Sequence, residues 1–412
     1  MGMLCKSLGL IKWSWLLVLA AVALLVFFAF YSGNNLQNAD SHPEQSAGIS
    51  GKEILLGSSS ALGGHASFLG TQYTHGAIAW FNEVNAAGGI HGRNIRLISY
   101  DDEYDPPKTV ANTERLIHDD QVFMLFNFVG TPTSVKIIDI VHENKIPSFG
   151  FFTGAEALRT PFRQYMFHVR ASYYSEAEGA VSYFVDILGH EKIAVMYQDD
   201  AFGKAVLTGV QLALHRRDME IVASDTFIRG TMDVQRAVET IRESGAESVI
   251  MVGTYSPLAR FIKRCQEEEF EPYFHTVSFV GSKAFGGEIL EQDIDPSWYE
   301  RIIVTQVMPS PFSEELGAVR KYRETIKKHF PEDEPNYVAL EGFVNAQILV
   351  DALQSSGPDL TRSALINAIE NISELDIGIG KTVSFNEFDH SGLEGIYYSR
   401  LGEDGTFQVF TP

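Results

Sequence analysis

The chain has 412 residues, 45% of them hydrophobic and 21% charged, which is room for two domains of ordinary size with large cores. A formal net charge of −21 argues against nucleic acid or an anionic membrane surface as a main partner. The two cysteines, Cys5 and Cys265, are predicted to lie on opposite sides of a membrane, so no intrachain disulfide is expected. No Cys/His cluster has zinc-ligand spacing, and neither a metal nor a cofactor is expected.

In chain order, Lys6 and Lys12 precede an apolar run over residues 13–31, and the acids Asp40 and Glu44 follow it. A basic start followed by an apolar core is the pattern for export. The charge asymmetry puts the body of the chain outside the cytoplasm. The run is long enough to span a bilayer and no A-x-A cleavage site follows it, so an uncleaved signal anchor is expected over residues 1–31. Residues 32–51 read as a flexible tether holding the body to the inner membrane.

From residue 52 on, strands alternate with helices. Strands are predicted at 52–58, 94–100, 122–126 and 145–149, with helices at 70–85, 107–119 and from Thr131 to near Asn144. In the stretch QVFMLFNFVGTPTSVK (121–136), a buried strand runs into a Gly/Thr turn, with Thr131 as N-cap and Pro132 at the first helical position. Such a loop at the carboxyl end of a strand is where open α/β sheets bind ligands, and a helix start there favours a carboxylate. The rhythm restarts after residue 172, with helices at 175–188, 202–216, 233–244 and 257–268 and strands at 192–197, 220–227, 248–253 and 275–279. Mostly helical sequence follows residue 307, then a Gly-rich turn at 378–380 and a terminal hairpin around Ser391-Gly392. The predicted fold class is α/β, with two doubly wound parallel-sheet lobes and a ligand cleft between their loop rims.

Several stretches together resemble periplasmic solute-binding proteins of the leucine/isoleucine/valine-binding type: NEVNAAGGIHG (82–92), YDDEYDP (100–106), Gly130 to Thr133, YQDDAFG (197–203) and GTYSP (253–257). The resemblance covers residue 52 to about 405. It implies lobe 1 from 52–170 plus about 306–390, lobe 2 from 171–305 plus about 391–412, and three crossing segments near 167–172, 305–308 and 388–395. It implies hinge closure on a small ligand, with delivery to an ABC-type permease and no enzymatic activity. The alternative is a ligand-sensing receptor module acting through a signalling partner.

Carried over by position, Gly130 and Thr131 meet a ligand carboxylate, Phe151 and Thr153 add contacts, and Phe202 and Tyr255 face them from the second lobe. Core packing is the competing reading for Phe151, Phe152 and Phe202. One departure stands out. Amino-acid binders place an acid after the strand at 275–279, whereas this chain reads Phe279-Val280-Gly281. Either Asp199 or Asp200 pairs a ligand ammonium, or the ligand is not a simple α-amino acid. GIGKT (378–382) lacks the spacing of a phosphate-binding loop and reads as a turn. Asp101-Asp102 reads as a turn-capping pair.

Overall fold

The computed structural model describes residues 46–412. The predicted anchor and most of the tether lie outside the described residues. Among the described residues, no helix is long and apolar enough to cross a membrane.

The first lobe holds β1 (Glu53–Ser60), α1 (Ser67–Ala86), β2 (Asn94–Asp101), α2 (Pro106–His118), β3 (Met124–Phe126), α3 (Thr131–Ser134), α4 (Ile138–Glu143), β4 (Ser148–Phe149) and β5 (Met166–Phe167). Its sheet is parallel, in the order β2-β1-β3-β4-β5. The second lobe holds α5 (Tyr173–Val181), β6 (Ile193–Gln198), α6 (Ala201–His215), β7 (Ala223–Phe227), α7 (Gln235–Glu243), β8 (Ser248–Val252), α8 (Tyr255–Glu267), β9 (Tyr273–Thr276), α9 (Ser282–Glu291) and β10 (Ile302–Gln306). Its parallel strands run β7-β6-β8-β9-β10, the same order over again, extended by antiparallel β13 (Tyr397–Leu401) and β14 (Phe407–Phe410). In each lobe the order reverses beside the first strand, and the loops leaving the strand ends at that reversal form the ligand-binding rim of a doubly wound sheet.

α10 (Gly317–His329), α11 (Tyr337–Ser355) and α12 (Arg362–Glu370) return to the first lobe and share its core. α11 is buried almost all round, which its apolar sequence demands. It lies so close to α1 that a Cβ on Gly76 would stand 1.9 Å from the Ala339 carbonyl oxygen. Only a residue without a side chain permits that approach.

The chain passes between the sheets three times: after β5, after β10 and before β13. Two of these passages lie side by side. The His168 N–H donates to the His390 carbonyl at 2.8 Å, and Gly392 and Leu393 donate to the carbonyls of His168 and Val169 at 2.7 and 2.9 Å.

Some expected boundaries differ. The helix predicted to run from Thr131 to near Asn144 is broken into α3, a 3-10 turn at Val135–Ile137, and α4. Its cap is Gly130 rather than Thr131, at φ 97°; the left-handed backbone there suits glycine. A one-turn helix has little macrodipole, so the expected attraction for an anion is correspondingly weak. The strand expected at 275–279 stops at Thr276, and Ser278–Val280 form a 3-10 turn instead. α7 is capped by Val234, not Asp233. The terminal hairpin turns at Gly402–Gly405, where the Gly402 N–H bonds the Thr406 carbonyl, rather than at Ser391-Gly392. GIGKT links the short antiparallel strands β11 (Leu375–Asp376) and β12 (Thr382–Val383), and the Gly378 N–H donates to the Asp376 carboxylate at 2.8 Å.

Candidate binding cleft between the lobes

The lobes close on each other through aromatic residues carried by the strand-end loops. Phe279, just past β9, has its ring centroid 5.4 Å from Phe152 and 5.8 Å from Tyr104 of the first lobe, and 4.6 Å from Phe202 of its own. Tyr173, at the start of α5, packs on Phe202 at 5.3 Å, and Tyr73 of α1 packs on Phe152 at 4.8 Å. All six rings are buried and share one apolar cluster that spans both lobes.

A polar network in the first lobe sets the loop that carries Phe152. Asn345 of α11 donates to Asn127 Oδ1 at 2.9 Å and to the Tyr73 hydroxyl at 2.5 Å, and that hydroxyl donates to the Gly150 carbonyl at 2.8 Å. Asp102 holds the neighbouring rim. It accepts from the hydroxyls of Ser59 and Thr109 and from the Tyr104 N–H, at 2.8 to 2.9 Å. Burial raises its pKa. Asp101 accepts from the N–H groups of Leu62, Gly63 and Glu103. Both acids thus tie turns, as read from the sequence.

The charged centre of the cleft lies on residues that the sequence reading did not single out. Arg170, 1% exposed, leaves the first crossing segment. Its Nε and Nη2 donate to both oxygens of Glu341 on α11, at 2.9 and 3.0 Å. Nη2 also reaches the Ser278 hydroxyl at 3.0 Å, and the guanidinium stacks over Phe152 at 4.3 Å. Ser278 passes the contact on to Glu176 of α5, through its hydroxyl at 2.9 Å and its N–H at 2.7 Å; Thr305 donates to the same carboxylate at 2.8 Å. One guanidinium therefore connects acids of both lobes. The local sequence carried one signal: Glu341 is the lone charge within the apolar first half of its helix, and a buried charge demands a partner.

Two buried carboxylates share one guanidinium, so burial outweighs Arg170 at Glu341 and lifts its pKa from 4.5 to about 7. The folded form then holds this proton more tightly than the unfolded chain does. The resulting stability is complete below pH 4.5 and is lost as pH rises through 7. Glu341→Gln removes the titration. The unfolding free energy of the parent should fall relative to the Gln variant by roughly 3 kcal/mol between pH 4.5 and 8. Urea unfolding of both across that range reads this directly; a constant difference refutes it.

Of the site residues predicted from sequence, the structure brings Gly130, Thr131 and Thr153 together. The Thr131 and Thr153 hydroxyls are 2.6 Å apart, with the Tyr173 hydroxyl beside them. Gly130 sits so tightly under Tyr104 that a Cβ would stand 2.1 Å from its ring. Phe202 lines the aromatic cluster. Tyr255 stands at the lobe boundary, its ring edge-on to Phe68 of α1 at 6.4 Å. Phe151 is elsewhere: it points into the first lobe's core against Phe128 and His168. Its neighbour Phe152, held by an isolated parallel bridge to Val129, faces the cleft instead. Asp199 and Asp200 are already engaged. Asp199 pairs with Lys204 at 3.0 Å. Asp200 caps α6 through the N–H groups of Phe202 and Gly203 and lies 3.5 Å from Arg229. Cavities of about 550 and 810 Å³ open at the hinge and beside the β11–β12 ribbon, outside this aromatic cluster.

Residues 53–406 match the sequence profile of a family described as periplasmic binding protein. An amino acid binding protein of Pseudomonas aeruginosa is 27% identical over 208 residues, 50% of this chain and 55% of that relative. The alignment thus spans about half of that relative's length. Leu/Ile/Val-binding protein homolog 7 of Brucella abortus is 22% identical over 80% of this chain and 83% of its own length. Among solved structures, a possible leucine/isoleucine/valine-binding protein from Rhodopirellula baltica superposes with a TM-score of 0.82 at 30% identity, covering 90% of this chain and 98% of that one. The chain belongs to the periplasmic binding protein family, a family of ligand-binding proteins rather than enzymes.

Proposed function

We propose that this chain is an extracytoplasmic solute-binding protein, tethered to the inner membrane by its N-terminal segment, that captures a small ligand between its lobes and delivers it to an ABC-type permease. The observation that carries the reading is the inter-lobe network itself. Arg170 on a crossing segment joins Glu341 of one lobe to Ser278 and Glu176 of the other, so closure and the chemistry of the cleft are one event. The ligand class spans branched-chain or other amino acids and related apolar or aromatic carboxylates or amides. Gly130, Thr131, Thr153, Phe202 and Tyr255 form its surroundings, whereas the position of Phe151 suits a supporting role.

A thermal-shift screen of the purified protein against that panel tests binding. A ligand at about a hundred times its dissociation constant stabilises the folded form by roughly 2.7 kcal/mol, and silence across the panel refutes the reading. Thr131→Val keeps the shape and removes the hydroxyl. It should weaken a hit about tenfold, the value of one good hydrogen bond in a dry site; unchanged affinity by calorimetry removes Thr131 from the site. Delivery is tested in cells. Loss of the gene should abolish uptake of the radiolabelled ligand, and undiminished uptake favours the sensing alternative.

A further inference from the structure

The cleft's own charges narrow the ligand class, on the premise that the solute-binding reading holds. Both buried carboxylates are already partnered from within, on both oxygens. Glu341 spends its two oxygens on the Arg170 fork. Glu176 spends one on the Ser278 hydroxyl and the other on the Ser278 N–H and the Thr305 hydroxyl. A ligand ammonium entering here would have to displace a bidentate guanidinium or a backbone donor, both strong partners in a dry site.

What remains open has the opposite character. Arg170 Nη1 has no hydrogen-bond partner, and its residue is 1% exposed; the fully buried Tyr173 hydroxyl stands nearby, its proton shared with the Thr131 and Thr153 hydroxyls beside it. An orphaned buried donor on a charged group is costly, and such a group is ordinarily paired. The two side chains are close enough for the Arg170 charge to act on the Tyr173 hydroxyl. The Tyr104 hydroxyl is also open, but it lies beside Gln198, whose Oε1 acceptor is open as well, so that pair is self-complementary. Asn345 Oδ1 and Asn127 Nδ2 are open too, but these two amides already touch and are complementary to each other, so the charged demand left beside the aromatic rings is that of Arg170, for an acceptor. A ligand bound before the lobes close would supply it.

We propose that the cleft takes a carboxylate carrying an apolar or aromatic body and no amine, held by Arg170 Nη1 and the Tyr173 hydroxyl, with Phe152, Phe202 and Phe279 packed against the body. An α-amino acid loses here because its ammonium would compete with the guanidinium and the backbone donor already seated on these carboxylates.

The test is calorimetric titration of the full-length protein in detergent with matched compounds: leucine against 4-methylpentanoate and 4-methyl-2-oxopentanoate, phenylalanine against 3-phenylpropanoate, and 3-phenylpropanamide as the neutral control. The expected result is at least one amine-free acid binding tenfold or more tighter than its amino-acid partner and than the amide. Tyr173→Phe should then weaken that acid about tenfold while the circular dichroism spectrum is unchanged. An amino acid that binds as tightly as its amine-free partner overturns the proposal and leaves the solute-binding reading standing. Preference for the amide overturns it in the same way. No binding by any of these compounds also overturns it, and the solute-binding reading falls with it only if the wider thermal-shift panel is silent too.

Discussion

Replacing Arg170 with methionine is expected to cost about 3–5 kcal/mol, the range for removing one partner of a buried ion pair. The side chain is 1% exposed and serves two lobes at once. Without it, Glu341 and Glu176 remain in an apolar interior with no cation between them. The protein relieves this by protonating the acids, whose pKa burial already raises, and by opening the lobes so that water reaches them. The lesion should therefore appear twice, as a lower urea midpoint and as a larger radius of gyration in solution scattering. A second change, Glu341→Gln, removes one of the stranded charges. In the double variant Arg170→Met/Glu341→Gln it should recover a large part of the loss, a coupling that a double-mutant cycle measures. A single variant costing less than about 1 kcal/mol would mean that the pair is wet and that Arg170 does not hold the lobes.

Phe279→Ala is expected to have a comparable effect, concentrated on closure. Truncating a buried phenylalanine costs about 3–5 kcal/mol. Two of the ring's three aromatic neighbours, Tyr104 and Phe152, belong to the opposite lobe, and only Phe202 belongs to its own. Two of the ring's three aromatic contacts are thus contacts between lobes. A closure penalty of about 3 kcal/mol corresponds to roughly a hundredfold weaker ligand binding. Phe151→Ala is the control, because that ring is equally buried but packs within the first lobe against Phe128 and His168. It should lower the melting temperature without a comparable loss of affinity. If the two variants lose affinity equally, the aromatic cluster is not the ligand wall.

The difference between Phe151 and Phe152 shows where the sequence is legible and where it stops. Apolar runs such as 122–126 and 248–252 mark buried parallel strands, because strands covered on both faces have no polar side to display. The alternation of strands and helices announces two doubly wound lobes. The Gly/Thr turn after the third strand was visible as a rim loop because glycine and threonine have local conformational reasons to be there. Which of two adjacent phenylalanines faces the cleft is decided in the loop after β4, where Gly150 takes φ 76° and Phe152 bridges to Val129, and no periodicity can be read from such a segment.

The charged centre was illegible for a different reason. Arg170, Glu176, Ser278 and Glu341 are separated by up to 171 residues, and apart from Glu341, a lone charge in an apolar half-helix, each in isolation resembles an ordinary surface polar residue. Their roles arise only when the crossing segment, α5, the turn after β9 and α11 converge on one dry volume. Asp199 and Asp200 illustrate the converse. They are conspicuous in sequence, yet local geometry engages one with Lys204 and the other with the start of α6.

By itself, the sequence determined what short-range physics controls, the alternating strands and helices of two α/β lobes and the strand-end loops that rim them; the three crossings were what the resemblance to solute-binding proteins implied. The tertiary structure alone decided which side chains meet in the cleft and which charges are already paired there. Hydrophobic patterning acts along a few residues of chain. Pairing of buried charges is a long-range condition, met only when the lobes have folded and closed.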